Sequence, residues 1–406
     1  MAASDPRPGD GMAAGRSVDD LIAWATIRTL VGFDTTSRES NLALIDWVAG
    51  RLRALGIDST FTFDDDRRKA NLFATLPAQD GNATTGGIVL SGHTDVVPVD
   101  GQPWTTDPFV ATVVGERVQG RGVTDMKSFS ATALALVPEF LRRGLAQPLH
   151  IALSYDEEIG CIGVERLIAD LVARGVKPQG CIVGEPTGMR TIVAHKGKKS
   201  WRCRVRGHEA HSSLTPCGVN AVEIGCALVG YLTGRARAFR ETGRHDPAYD
   251  VPYTTVHTGI IRGGTALNIV ARDCTFDFEI RHLPADDPDA FFRDVEAHAR
   301  EFVGEMQEVA PEAYIAFDLL STMPGFETEP DSFVAALGRD CSSRCDVGKV
   351  SFGTEASRYH QAAVPAIICG PGHVAQAHQP DEWVSIAQLA ACEDFMHRLA
   401  DRVCCA

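Results

Sequence analysis

Apolar residues recur at helical spacing over 18–31, behind an acidic first turn, and again over 40–55, where Gly56 offers a C-cap. Beyond these stretches lie short runs that are apolar almost throughout, over 88–90, 150–154 and 180–183. Helical spacing returns over 130–141 and 165–174. Strands alternating with helices in this way predict an α/β fold built on a mostly parallel sheet. Sites in such sheets form at the carboxyl ends of the strands, so the residues that follow each apolar run should share one edge. From Lys196 the texture changes: 200–206 alternates like a half-exposed strand, followed by a helix over 220–232 and strands over 254–261 and 274–281. A helix over 289–302 and a strand over 313–320 complete a β-α-β-β-α-β order, that of a ferredoxin-like unit. We predict this unit as an insertion over 196–320. The first domain, 17–195, then resumes over 321–406 with a helix near Ser332 and a strand over 366–369.

Length agrees with this division, because 406 residues exceed one comfortable core. A formal net charge of −14 argues against nucleic acid or an anionic membrane surface as partner. The apolar runs are interrupted well before the ~18 residues of a membrane-spanning helix. Residues 1–16, rich in Ala, Gly, Pro and Asp without an apolar stretch, read as a disordered leader rather than a secretory signal. The twelve cysteines are scattered, which predicts reduced thiols in a cytoplasmic protein. Cys341 and Cys345 have the spacing of one helical turn but no second pair at zinc spacing, and no lipidation box ends the chain after Cys404 and Cys405.

The chemistry collects where the strands end. His93 closes the first apolar run in SGHTD, and Asp95 is placed to fix the tautomer of a ligating imidazole. Asp125 lies in GRGVTDMKS, Glu157 and Glu158 follow the 150–154 run, Glu185 follows 180–183, and His378 follows 366–369. His93, Asp125, Glu158, Glu185 and His378 form a nitrogen and oxygen donor set suited to divalent zinc or cobalt. Five ligands exceed one tetrahedral ion that keeps a water, but they suit two ions ~3.5–4 Å apart if one carboxylate bridges them. Asp125, among small and Gly-rich neighbours, is the candidate bridge. Glu157 and Glu158 are adjacent and should diverge, one toward metal and one toward the attacking water as general base. Spacing alone does not say which is which.

The strings SGHTDVVPVDGQPWTTDPF, GRGVTDMK, DEEIGCIG, GEPT and AHQPDEW resemble the dinuclear zinc amidohydrolases that include aminoacylases, carboxypeptidases and desuccinylases. VAHKGKKS, AHSSLTPCGVNA, TALNIVARD, FEIRHLP and SFGTEA resemble the acetylornithine deacetylase branch of that group, and the likeness runs from about Val18 onward. The resemblance implies a zinc-peptidase-like catalytic domain carrying an inserted lid and dimerisation domain. It assigns His93 and Glu185 to one metal, Glu158 and His378 to the other, Asp125 to both, Asp95 to the support of His93, and Glu157 to the base. It also implies a cis peptide after Asp125. His211 would stabilise the oxyanion, and Asn268 and Arg281 would hold substrate, the guanidinium pairing with a carboxylate. Glu355 is the specificity candidate, an acid able to pair with the δ-ammonium of acetylornithine, although a glutamate there also suits a helix N-terminus. Ser128 and His373 stand where relatives more often have glycine and serine. The implied activity is hydrolysis of N2-acetyl-L-ornithine to ornithine and acetate by a cytoplasmic homodimer with two Zn2+, or Co2+. The alternatives are a related aminoacylase, dipeptidase or succinyl-diaminopimelate desuccinylase.

Overall fold

The computed structural model describes residues 16–342, 344 and 346–405. The leader expectation therefore lies, save for Arg16, outside the described residues, as does Cys345. The chain forms two compact units. One runs to Val193 and resumes over Thr328–Val347 and from Thr354 onward; the other comprises Ala194–Glu327 and Gly348–Gly353.

The first unit is built on a mixed sheet that is parallel at its centre, as the alternation of strands and helices predicts. Ile88–His93 lies parallel between Leu149–Ser154 and Gly180–Pro186, and Ala366–Gly370 extends the parallel set beyond Gly180–Pro186. All four strands are buried from end to end, which explains apolar runs without alternation. Helices Lys127–Arg143, Phe333–Ser342 and Ile386–Val403 contribute Phe129, Leu134, Leu337, Phe395 and Leu399 to the core that packs against the sheet.

Two antiparallel strands, Ser59–Phe63 and Ala70–Leu76, continue the sheet beyond Leu149–Ser154. The apolar pattern did not announce them. The helix expected over 18–31 is broken: a 3-10 turn, Val18–Asp20, precedes Trp24–Val31. Ser17 and Asp20 cap the turn reciprocally, Leu21 is extended, and the buried carboxylate of Glu393 accepts the Ala23 amide at 2.8 Å. A tertiary partner takes that amide where a continuous helix would have used it.

The second unit has the ferredoxin-like arrangement. Thr255–Gly263, Asp273–His282, Gly197–Arg206 and Tyr314–Met323 lie side by side in that order, every pair antiparallel. The alternation over 200–206 is accounted for directly. Trp201, Cys203 and Val205 enter the core beside Phe276, Phe278 and Phe291, while Arg202 and Arg204 face outward to Asp277 and Asp318. Helices Ala221–Thr242 and Pro288–Val309 supply the rest of that core and are capped by the side chains of Asn220 and Asp287.

Candidate metal centre

The parallel strands bring their acids and histidine to one edge. His93 ends Ile88–His93, Glu157 and Glu158 follow Leu149–Ser154, and Glu185 lies near the end of Gly180–Pro186. Asp125 comes from the turn that opens the Lys127–Arg143 helix, where the Asp125–Met126 peptide is cis. His378 follows the turn Val374–Gln376 with φ +61°, a left-handed conformation uncommon outside glycine.

Two imidazoles converge on one carboxylate. His93 Nε2 lies 3.0 Å from Asp125 Oδ1, and His378 Nε2 lies 3.3 Å from Asp125 Oδ2. Glu185 Oε1 stands 3.5 Å from His93 Nε2, whereas Glu158 Oε2 stands 3.0 Å from His378 Nε2. Donor atoms of His93, Glu157 and Glu185 fall within 4.8 Å of one another, and so do those of His93, Asp125 and Glu158. Asp125 presents one oxygen to each imidazole, the disposition that a bridging carboxylate requires.

Asp95 meets His93 chiefly through its backbone. His93 Nδ1 is 2.9 Å from the backbone carbonyl of Asp95 but 3.6 Å from its carboxylate, so the carbonyl is the hydrogen-bond acceptor. Nδ1–H donating there leaves the Nε2 lone pair aimed at Asp125 and Glu185. The Asp95 carboxylate instead accepts the amides of Glu157 at 3.1 Å and Glu158 at 3.2 Å, together with the Ser37 hydroxyl at 2.8 Å. It therefore orients the turn that carries the two glutamates. Their side chains diverge within it: Glu158 faces His378, and Glu157 Oε1 accepts the Cys161 thiol at 3.1 Å.

The electrostatics follow from burial and crowding. Burial pushes the Glu157 carboxyl up to about 8 and that of Glu158 up to about 7, each reinforced by neighbouring carboxylates. Glu185 is driven up for the same reasons. Burial would lower His93, but Asp125 and Asp95 hold it well above its ordinary value, and hydrogen bonds that Asp125 and Glu158 accept from His378 raise the latter to about 10. A bound divalent cation inverts these directions by favouring anionic oxygen and neutral nitrogen. Four carboxylates packed with two imidazoles in a largely buried pocket are a hard, oxygen-rich donor set that fits two such ions.

Behind the pocket is a support that the motifs do not reveal by spacing. Glu382, fully buried, takes the amides of Gly122, Thr124 and Asp125 at 3.0, 2.8 and 3.1 Å and the Arg121 guanidinium at 2.7 Å. Lys127 sends its ammonium to the Phe33 carbonyl at 2.8 Å, and burial lowers it to about 7. The Ser128 hydroxyl reaches the Val123 carbonyl, so the departure from glycine adds a bond inside the same turn. His373 is exposed and bridges to Thr187 through its backbone. Gln102, Arg121, Cys161 and Glu382 all sat in strings read as motifs, but nothing in their spacing tells a brace from a surface polar residue.

Glu355 lies away from solvent with both oxygens engaged. It is fully buried, and its two oxygens accept the Ser91 hydroxyl at 2.5 Å and the Ser154 hydroxyl at 2.7 Å, with Tyr359 hydroxyl 2.9 Å from Ser91. The physical reason is position: Glu355 precedes the short helix Ala356–Gln361 without capping it, and its side chain turns instead to Ser91 and Ser154 of two central strands. His211, Asn268 and Arg281 belong to the second unit. His211 Nδ1 accepts the Ser213 amide at 3.2 Å and caps the Ser212–Cys217 turn; beside it, Ser212 donates its amide to the Asn268 carbonyl at 3.0 Å. The structure thus brings His211 and Asn268 together. Arg281 stands apart on the sheet, its Nε donating to Glu279 at 2.9 Å.

Residues 89–402 match peptidase family M20/M25/M40. An acetylornithine deacetylase of Proteus mirabilis is 33% identical over 375 residues, 92% of this chain and 93% of that one. An M20 metallo-carboxypeptidase of Sulfolobus solfataricus shares the fold at a TM-score of 0.72 and 15% identity, over 93% of this chain and 98% of the other. A Bacillus subtilis protein described as a dinuclear metal-binding peptidase of the M20 family aligns at a TM-score of 0.64 and 12% identity, over 93% and 97% of the two chains.

Proposed function

The chain belongs to peptidase family M20/M25/M40, and on that premise we propose that it hydrolyses the amide of N2-acetyl-L-ornithine, releasing ornithine and acetate. Two observations support different parts of this reading. The convergence of His93, Asp125, Glu158, Glu185 and His378 around a separately held Glu157 supports amide hydrolysis at a two-ion centre. The name of the Proteus relative, matched along nearly its whole length, supports the substrate.

His93 with Glu185, Glu158 with His378, and Asp125 as the shared carboxylate would hold two divalent ions, Zn2+ or Co2+, whose chemistry when bound would be to polarise the acyl oxygen and acidify the attacking water. Glu157 takes the proton of that water and returns it to the leaving α-amine. Asp95 keeps Glu157 and Glu158 on opposite courses through their amides. Cys161 holds one oxygen of Glu157 and leaves the other for the proton. The oxyanion role of His211 and the substrate-holding roles of Asn268 and Arg281 remain part of the proposal. His211→Ala should lower kcat more than it raises KM.

We also read the protein as a cytoplasmic homodimer, the thiol-rich sequence supporting the compartment. The edge strand Thr255–Gly263, with Ile260 and Ile261 each 48% exposed and Leu267 fully exposed beyond it, supports a second copy as the partner.

One observation favours a broader second reading. With Glu355 fully buried and each of its oxygens accepting a serine hydroxyl, the acid expected to pair with the δ-ammonium is engaged elsewhere, so a general aminoacylase or dipeptidase is the competing activity. Steady-state hydrolysis of N2-acetyl-L-ornithine and N2-acetyl-L-norvaline, by zinc-loaded and chelator-stripped protein, separates them. Zinc-dependent turnover that strongly favours acetylornithine establishes the deacetylase. Equal turnover of both substrates establishes the broader enzyme. Glu157→Ala should abolish turnover with metal content unchanged, and retained turnover would overturn the base assignment.

A further inference from the structure

His378 is the candidate ligand most in need of support. Its side chain is 54% exposed whereas that of His93 is wholly buried, and both it and Asp381 adopt left-handed φ angles, +61° and +54°. Such a segment keeps its shape only where its surroundings over-determine it.

The surroundings do so through a closed circuit of hydrogen bonds. The Asp125 amide donates to Glu382 Oε1 at 3.1 Å, and Arg121 Nη1 donates to Glu382 Oε2 at 2.7 Å. Arg121 Nη2 donates to Gln102 Oε1 at 2.5 Å, and Gln102 Nε2 donates to the His378 carbonyl at 3.1 Å. His378 Nε2 then returns to Asp125 Oδ2 at 3.3 Å. Beside the circuit, Thr105 holds the Asp381 carboxylate through its amide at 2.8 Å and its hydroxyl at 2.9 Å.

Gln102 is the member whose chemistry cannot be exchanged. Its Oε1 faces two groups that can only donate, the Arg121 guanidinium and, at 3.0 Å, the Trp104 indole. Those donors fix which end of the amide is oxygen, so the NH2 must face the His378 carbonyl.

We propose that Gln102 is a positioning residue that fixes His378 on the pocket and thereby sets the affinity of the one ion position His378 serves, leaving the position served by His93 and Glu185 unaffected. The inference rests on the reading of the pocket as a two-ion centre. Gln102→Glu tests it closely, because the carboxylate keeps the acceptor for Arg121 and Trp104, adds a negative charge that the Arg121 guanidinium faces, and turns an acceptor oxygen toward the His378 carbonyl in place of the donor.

Chelator-stripped wild type and variant are titrated with Zn2+ by calorimetry, and with Co2+ while its visible absorption is followed. Wild type should take up two ions per chain. Gln102→Glu should bind the first with wild-type affinity and the second about 10–100-fold more weakly, the usual effect of losing an outer partner of a ligand. Thr105→Val, which removes one bond to Asp381 and keeps the volume, should weaken the same ion to a smaller degree. Unchanged binding of both ions in both variants overturns the inference, and so does equal weakening of both ions, which would mark a merely structural role. Failure of wild type to bind two ions overturns the two-ion reading itself and is visible before any variant is compared.

Discussion

At the scale of single residues, burial decides which acids are tools and which are supports. Glu355 has the burial of a support, and burial raises its carboxyl even against the hydrogen bonds from Ser91 and Ser154. Glu355→Gln should therefore lower kcat/KM for acetylornithine and acetylnorvaline in the same proportion. A change of about tenfold or more confined to acetylornithine would restore the ammonium role, since a hydrogen bond to a charged group is worth about 1.5–3 kcal/mol. His150 gives a second residue-scale prediction, this time on pH. It is fully buried, stacks on Phe73 with ring centroids 5.2 Å apart and meets the Thr75 hydroxyl at 2.9 Å. Burial lowers it to about 4, against a raising contribution from the Gly86 backbone. Below about pH 6.5 the unfolded chain takes up a proton that the folded chain refuses, so stability falls as pH drops from about 6.5 to 4, by at most about 3 kcal/mol. His150→Leu should show a shallower loss over that interval when unfolding is followed against pH, whatever its offset at neutral pH. An identical slope would mean that His150 accepts a proton in place.

At the scale of elements, legibility followed the physics of each strand. Strands buried on both faces left uninterrupted apolar runs followed closely by acids or a histidine, so His93, Glu157, Glu158 and Glu185 could be assigned to one sheet edge from the sequence. Trp201, Cys203 and Val205 alternate with arginines because only one face of their strand is covered. By contrast, Ala70–Leu76 carries no flanking signal that separates it from a loop, and the break after Asp20 depends on Glu393, hundreds of residues away. The tautomer of His93 was equally out of reach, because its acceptor is a carbonyl that every residue possesses. Glu382 shows how one buried side chain stands in for regular structure: it collects three amides of a turn that has no ladder of its own. Glu382→Ala leaves the Arg121 guanidinium buried without its anion and should cost about 3–5 kcal/mol, read as a fall in the thermal midpoint accompanied by loss of bound metal.

At the scale of the whole molecule, the second unit offers the surface on which self-association should depend. Ile260→Lys places a charge on the open edge strand and should convert a dimer to a monomer in sedimentation, whereas an unchanged dimer would move the interface elsewhere. The closed circuit through Gln102, Arg121, Glu382 and His378 has another consequence, one of timing. It joins residues 102–125 to residues 378–382, with the entire second unit lying between them in the chain. During synthesis the ribosome releases His93, Asp125, Glu157, Glu158 and Glu185 long before it releases His378 and Glu382. Until then the amides of the 122–125 turn lack their acceptor and Asp125 lacks its second imidazole. Completion of the centre is thus a late event in the life of the nascent chain, and a polypeptide interrupted after the second unit would carry five of the six pocket side chains without the segment that closes them around a metal.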